Sequence, residues 1–151
     1  MLTTIAIGCT LAIITTAIHA SAMMGALSCF RRFGSAQWVL RSGLTRAVAV
    51  TALVLVMLLA TVVESGAWAI TYLMIGALDS AEAAAYFSMV TYTTLGYGDI
   101  TLSDEWRLLS SFEAANGILM FGWSTALIFA GVHSAYLQAP RSPEGSAGSS
   151  R

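Results

Sequence analysis

Three apolar stretches dominate the chain, about Leu2–Leu27, Ala47–Ile75 and Leu108–Leu137. Each exceeds the ~20 residues a helix needs to cross the hydrocarbon core of a bilayer. The second and third are longer than that minimum and are expected to tilt or to project beyond it. Composition agrees: 57% of the 151 residues are apolar and 10% charged, where a soluble domain carries about 25% charged residues. The net charge is −1, there is no lysine, and the arginines are too few for a phosphate-binding surface, so no nucleic-acid partner is expected. The first stretch lacks a basic n-region and is too long for a signal-peptide core, so it reads as a retained helix. On one helix Cys9 and Cys29 would lie roughly 30 Å apart and could not bridge. No metal-ligand spacing is present.

Charge gives an expected orientation. Arg31, Arg32, Arg41 and Arg46 lie between the first two stretches, and Arg141 and Arg151 follow the third. With three crossings, six of the seven arginines fall on one side, which the positive-inside rule puts in the cytoplasm. The N-terminus is then outside and the C-terminus inside. The segment between the second and third stretches faces outward and carries Asp79, Glu82, Asp99, Asp104 and Glu105 against Arg107. An acidic outer mouth would concentrate cations, although ordinary loop charge would read the same way. Residues 140–151 are Pro-, Gly- and Ser-rich and are expected to be disordered. No arginine-rich helix of the voltage-sensor kind is present.

The outward segment carries the chemistry. Residues 80–93 form a short helix-compatible run, with Asp79 or Ser80 as N-cap and Glu82 in the first turn. The run is too short to cross a bilayer and leads into Thr94-Leu95-Gly96-Tyr97-Gly98-Asp99. Between two spans this pattern reads as a re-entrant loop, tolerated at membrane depth only inside protein or lining a cavity. A cation that sheds its water needs oxygens on all sides. Backbone carbonyls supply them if successive residues alternate in backbone hand, and Gly96 and Gly98 permit the positive φ this requires. The Thr94 hydroxyl adds an oxygen at the inner end. The preceding helix would aim its partly negative C-terminus at the cavity.

The Thr93-Thr94 pair, Thr-Leu-Gly-Tyr-Gly-Asp and the order outer helix, short helix, turn, inner helix together resemble the potassium-channel pore-domain family. The hexapeptide is close to the potassium-channel filter sequence. The resemblance covers about residues 47–137 and leaves the first helix outside. It implies K+ coordination by the carbonyls of Thr94, Leu95, Gly96 and Tyr97, with Gly98 at the outer turn and Asp99 behind the outer mouth. The Tyr97 ring would pack outward against pore helices and hold the filter's width. Asp99 would accept a hydrogen bond from a pore-helix aromatic; of Tyr86 and Phe87 in the matching region, Tyr86 alone has a donor. Two positions depart from the family. Leu95 stands where valine is usual, which changes packing behind the filter and bears on K+ over Na+ selectivity. Val90 stands where some members carry a glutamate that pairs with the aspartate, so Asp99 needs another partner.

In the third stretch, Gly117 lies where the family often has a hinge glycine, with Gly122 beyond it; close helix packing also favours glycine. Ile118, Phe121, Thr125 and Phe129 share a helical face that would suit either a cavity lining or core packing. Phe129 could form a hydrophobic gate. His133, on the same face, suits a pH sensor or an ordinary interfacial histidine. His19 carries no functional reading. Glu64 and Glu113 lie inside apolar stretches, where a lipid-facing charge is expensive. Both are expected to point into the protein, Glu113 toward the short helix, bonded to hydroxyls or protonated. Filter support is the preferred role and proton-linked gating the alternative.

The expectation is an all-α membrane protein with three transmembrane helices plus a re-entrant pore helix and selectivity-filter loop, assembled as a tetrameric pore. It divides into a peripheral N-terminal helix (1–30) contacting lipid or the neighbouring outer helix, a cytoplasmic loop (31–46), a pore domain (47–139) and a tail (140–151). The expected activity is passive K+ conduction by a homotetramer in lipid. K+ is the bound ion, and no organic cofactor, soluble partner or catalytic residue set is expected. A weakly selective Na+/K+ channel and a non-conducting scaffold subunit are the alternatives. A bacterial inner membrane is the expected location.

Overall fold

The computed structural model describes residues 1–34 and 43–137. Part of the expected cytoplasmic loop, including Arg41, and the whole expected tail, with Arg141 and Arg151, lie outside the described residues. Four helices follow in order: α1 (Leu2–Gly34), α2 (Gly43–Met74), α3 (Ala81–Tyr92) and α4 (Arg107–Leu137). The helices α1, α2 and α4 are each long and apolar enough to cross a membrane. There is no strand among the described residues.

Local sequence sets the helix ends. Gly76 adopts φ 67° just past α2, where the Ala77 N–H reaches Tyr72 O at 2.9 Å and the Gly76 N–H reaches Leu73 O at 3.1 Å. This is a Schellman cap, which favours glycine because a side chain strains positive φ. Four residues on, the Ser80 hydroxyl accepts from the Ala83 N–H at 3.1 Å and starts α3, with Glu82 in its first turn. A tight stop and an immediate start turn the chain back against α2. Ser103 O then accepts the N–H groups of Trp106 and Arg107, both at 2.9 Å, at the entry to α4.

Each long helix buries one stripe. On α2 it is Leu53, Met57, Ala60, Thr61, Glu64, Ser65, Trp68, Ala69 and Tyr72, a three-to-four-residue spacing that keeps one face inward. Both α1 and α3 pack on α2 and on α4, while the α1 and α3 backbones do not approach each other. The main core joins Leu11, Trp68, Tyr72, Phe87, Tyr92, Leu109 and Met120. A second cluster holds Leu53, Met57 and Leu127. In lipid, apolar contact gives little drive for helix association, so small residues and polar bonds must supply it. Both are present. A Cβ on Gly8 would lie 2.9 Å from the Phe112 ring, and one on Gly117 would collide with the Tyr92 carbonyl oxygen.

The first helix, expected to contact lipid or the neighbouring outer helix, also has a face turned into its own chain. Thr4, Leu11, Thr15 and His19 of α1 are buried against α2 and α4 of the same chain. Polar side chains on that stripe find their partners there, and this gives the helix a reason to dock.

Candidate functional site

The turn after α3 is held by the helix it leaves. Val90 O, at the helix C-terminus, accepts the N–H of Leu95 at 2.9 Å and of Gly96 at 3.3 Å, and Thr91 O accepts that of Thr94 at 2.9 Å. Carbonyls that end a helix without partners are thereby satisfied. Beyond them the backbone alternates: φ is 60° at Thr94, 59° at Gly96 and 78° at Gly98. Among the described residues Thr94 is the one non-glycine with positive φ. For a β-branched residue that conformation is rare and costs on the order of 1–3 kcal/mol, a strain that collects at functional sites.

Residues 94–99 are all exposed in the single chain, Leu95 at 56% and Tyr97 at 68%. Beside them a groove of about 600 Å³ runs between α3, the turn and the start of α4, lined among others by Tyr86, Val90, Thr94, Asp99 and Ser111. On this outer face the Tyr86 hydroxyl donates to Asp99 Oδ2 at 2.8 Å. That bond, with the Asp99 and Ile100 N–H groups adding to it, holds the Asp99 carboxyl below the ordinary carboxylate range. It also raises the Tyr86 hydroxyl.

The opposite face of α3 rests on two fully buried carboxylates. Glu113 Oε2 accepts from the Tyr72 hydroxyl at 2.7 Å, and its Oε1 lies 2.5 Å from Ser88 Oγ. Ser88 Oγ also lies 2.5 Å from Ser65 O. Glu64 Oε2 accepts from the Tyr92 hydroxyl at 2.7 Å, and Glu64 Oε1 lies 2.8 Å from His19 Nδ1. His19 Nε2 in turn faces Ser124 Oγ at 3.2 Å. Ser88 and Tyr92 are one turn apart on α3, so α4 and α2 each hold it through one acid. Buried polar groups are sustained by such bonding.

The sequence pointed to Glu64 and Glu113 but not to Tyr72, Ser88 or Tyr92, and it passed over His19. The inner-helix candidates lie elsewhere. Gly117 is buried at the Tyr92 carbonyl, and this close approach accounts for a glycine there without any bending. Gly122 meets nothing within 4 Å. Ile118, Phe121, Thr125 and Phe129 are exposed, so the stripe does not pack into the core of its own chain. The rings of Phe129 and His133 lie 6.2 Å apart, outside both clusters of the fold.

Three long apolar helices and a short helix held against two of them by buried acids make this an integral membrane protein of the all-helical class. The family model described as "Ion channel", a two-helix pore family that includes K+ channels, matches residues 52–132. The chain therefore belongs to that ion channel family, and α1 lies outside the matched region. No curated protein and no solved structure shows significant similarity to it.

Proposed function

We propose that the chain is the subunit of a potassium-selective channel, in which four copies place residues 94–98 around one axis and conduct K+ passively. The carrying observation is the alternation of positive φ at Thr94, Gly96 and Gly98. A backbone that changes hand at each residue turns successive carbonyls to one side, where an extended strand would alternate them. Carbonyls stacked this way replace a cation's hydration shell. One chain supplies one wall, so coordination from all sides requires further copies, and closed symmetry is the usual solution.

The exposure of Leu95 and Tyr97 supports the same assembly. Apolar side chains beside an irregular backbone at membrane depth need protein cover. In this reading α3 is the re-entrant pore helix, Tyr86–Asp99 braces the outer mouth, and Glu64 and Glu113 support the filter from behind. The exposed face of Ile118, Phe121, Thr125 and Phe129 lines the cavity. The arginine distribution orients the N-terminus outward.

Leu95 in the valine position favours one rival, a pore that passes Na+ and K+ alike. Cation flux into liposomes carrying the purified protein, with K+ and Na+ gradients run in parallel, separates the readings. Strong K+ flux with little Na+ flux is expected. Equal flux of both ions would transfer the case to the unselective pore, and no flux at all to a scaffold subunit.

A further inference from the structure

The histidine on the helix outside the channel-family match has a partner that leads to the filter. We infer that His19 is a positioning residue for ion selectivity: by holding one oxygen of Glu64 it fixes the Tyr92 hydroxyl on the other, and so α1 sets the entrance of the filter. The inference rests on the potassium-selective reading above.

The geometry is a chain of three side chains from three helices. His19 on α1 lies 2.8 Å from Glu64 Oε1 on α2, and Glu64 Oε2 accepts from Tyr92 on α3 at 2.7 Å. All three residues are fully buried. A histidine with its proton on Nδ1 donates to the carboxylate and leaves Nε2 to accept from the Ser124 hydroxyl 3.2 Å away, so each group has its complement. Trp123 lies 5.6 Å from the imidazole, ring centre to ring centre, and packs against it. A second bond on the same α1 stripe, from Asn116 Nδ2 to Thr15 Oγ1 at 2.6 Å, ties α1 to α4 beside Gly117.

Tyr92 is the residue through which this matters. It closes α3, two positions before Thr94. Its carbonyl sits where a side chain at Gly117 would be, and its hydroxyl is fixed by Glu64. Held at both ends, Tyr92 leaves the chain one direction in which to enter the strained Thr94. If His19 loses its donor, Glu64 is left buried with half its bonding. The carboxylate is then free to rotate, and Tyr92 loses a fixed acceptor. The backbones of α1 and α3 do not approach each other, and Glu64 is the side chain hydrogen-bonded to both His19 and Tyr92.

The test compares K+ and Na+ flux in liposomes for wild type, His19→Phe, His19→Asn, Tyr92→Phe and the double variant H19F/Y92F. Phenylalanine keeps the ring beside Trp123 without a donor, whereas the asparagine amide can stand in for Nδ1–H. His19→Phe is expected to lower the K+/Na+ flux ratio about tenfold, the equivalent of about 1.4 kcal/mol. His19→Asn is expected to restore most of the ratio. Tyr92→Phe should match His19→Phe, and the double variant should be no worse than either single one, because residues in one network do not act additively. A merely structural role would lower yield and thermal stability and leave the ratio alone. A wild-type ratio in folded His19→Phe, or additive losses in the double variant, overturns the inference. If His19→Phe does not assemble, Tyr92→Phe decides, and an unchanged ratio there is equally fatal. A wild type that passes both ions equally defeats the potassium-selective reading itself and this inference with it, and the unmutated control alone reveals that case.

Discussion

The two faces of α3 differ in how complete they are. Behind it, Ser88 and Tyr92 reach Glu113 and Glu64, and every one of these side chains is buried in the single chain. In front, Leu95, Gly96, Tyr97 and Gly98 lie bare beside an open groove, braced by one exposed bond from Tyr86 to Asp99. Behind α3 the hydroxyls of Ser88 and Tyr92 are satisfied within the chain, and the face left open is the one made of carbonyls and apolar rings. In the proposed assembly one copy finishes the support, and the working surface needs other copies.

The sharpest way to break this contrast is at the point where the two faces meet. Gly117→Val drives a side chain into the Tyr92 carbonyl, and overpacking of this kind costs about 3 kcal/mol or more when the obstacle is backbone. Thermal unfolding in detergent should fall accordingly, and K+ flux should vanish. Wild-type values would mean that the end of α3 is not locked against α4. Next in size, Glu113→Ala strands the buried Tyr72 hydroxyl and leaves Ser88 with Ser65 O alone, and about 2–3 kcal/mol should be lost. Tyr72→Phe removes one donor and should cost about 1 kcal/mol. Equal losses from both variants would contradict a shared carboxylate.

On the front face the pattern should invert. Tyr97→Ala is expected to leave the helical content and stability of the solubilised monomer within about 0.5 kcal/mol of wild type, as for exposed positions generally. It should nevertheless abolish K+ over Na+ discrimination and weaken assembly. A destabilised monomer would show that Tyr97 belongs to its own subunit's core. The smallest effect concerns Asp99. Its carboxyl sits below the ordinary range because Tyr86 donates to it, so the contribution of that bond is complete above an ordinary carboxylate pKa of about 3.9. It is lost as pH falls through the lowered folded value. Carbon NMR titration of aspartate-labelled protein should find the Asp99 midpoint below that of a free side chain and, in Tyr86→Phe, shifted back up toward it. The same variant should speed the decline of flux during sustained conduction. An unmoved midpoint would remove the bond from the account.

The turn was legible in the sequence because its chemistry is local. Two glycines at alternate positions announce positive φ, and a threonine, a tyrosine and an aspartate surround them without a break. The cap, narrowed to Asp79 or Ser80, and the three long helices were legible for the same reason, since capping and hydropathy act over a few residues. The support was only half legible. An acid inside an apolar stretch announces that it needs a partner, and this singled out Glu64 and Glu113. Which partner it finds depends on how four helices rotate against one another. His19 lies 45 positions from Glu64, and Ser88 lies 25 from Glu113. Thr4, Gly8, Leu11, Thr15 and His19 recur every three or four residues, and that stripe was the signal that α1 has an inward face. Its mild polarity hid it among the other helical positions.

The buried acids also bear on what happens in a cell that makes two versions of this chain. In the proposed tetramer a protomer with its support buried inside it is finished before it meets its neighbours, so wild-type copies and copies with a filter change that leaves assembly intact would enter assemblies from a common pool. If four copies share one pore and one faulty wall spoils it, activity falls with the fourth power of the wild-type fraction. The defect would then be inherited as a dominant one. Co-expression at graded ratios reads that exponent directly, and a linear decline would show that copies do not share a pore.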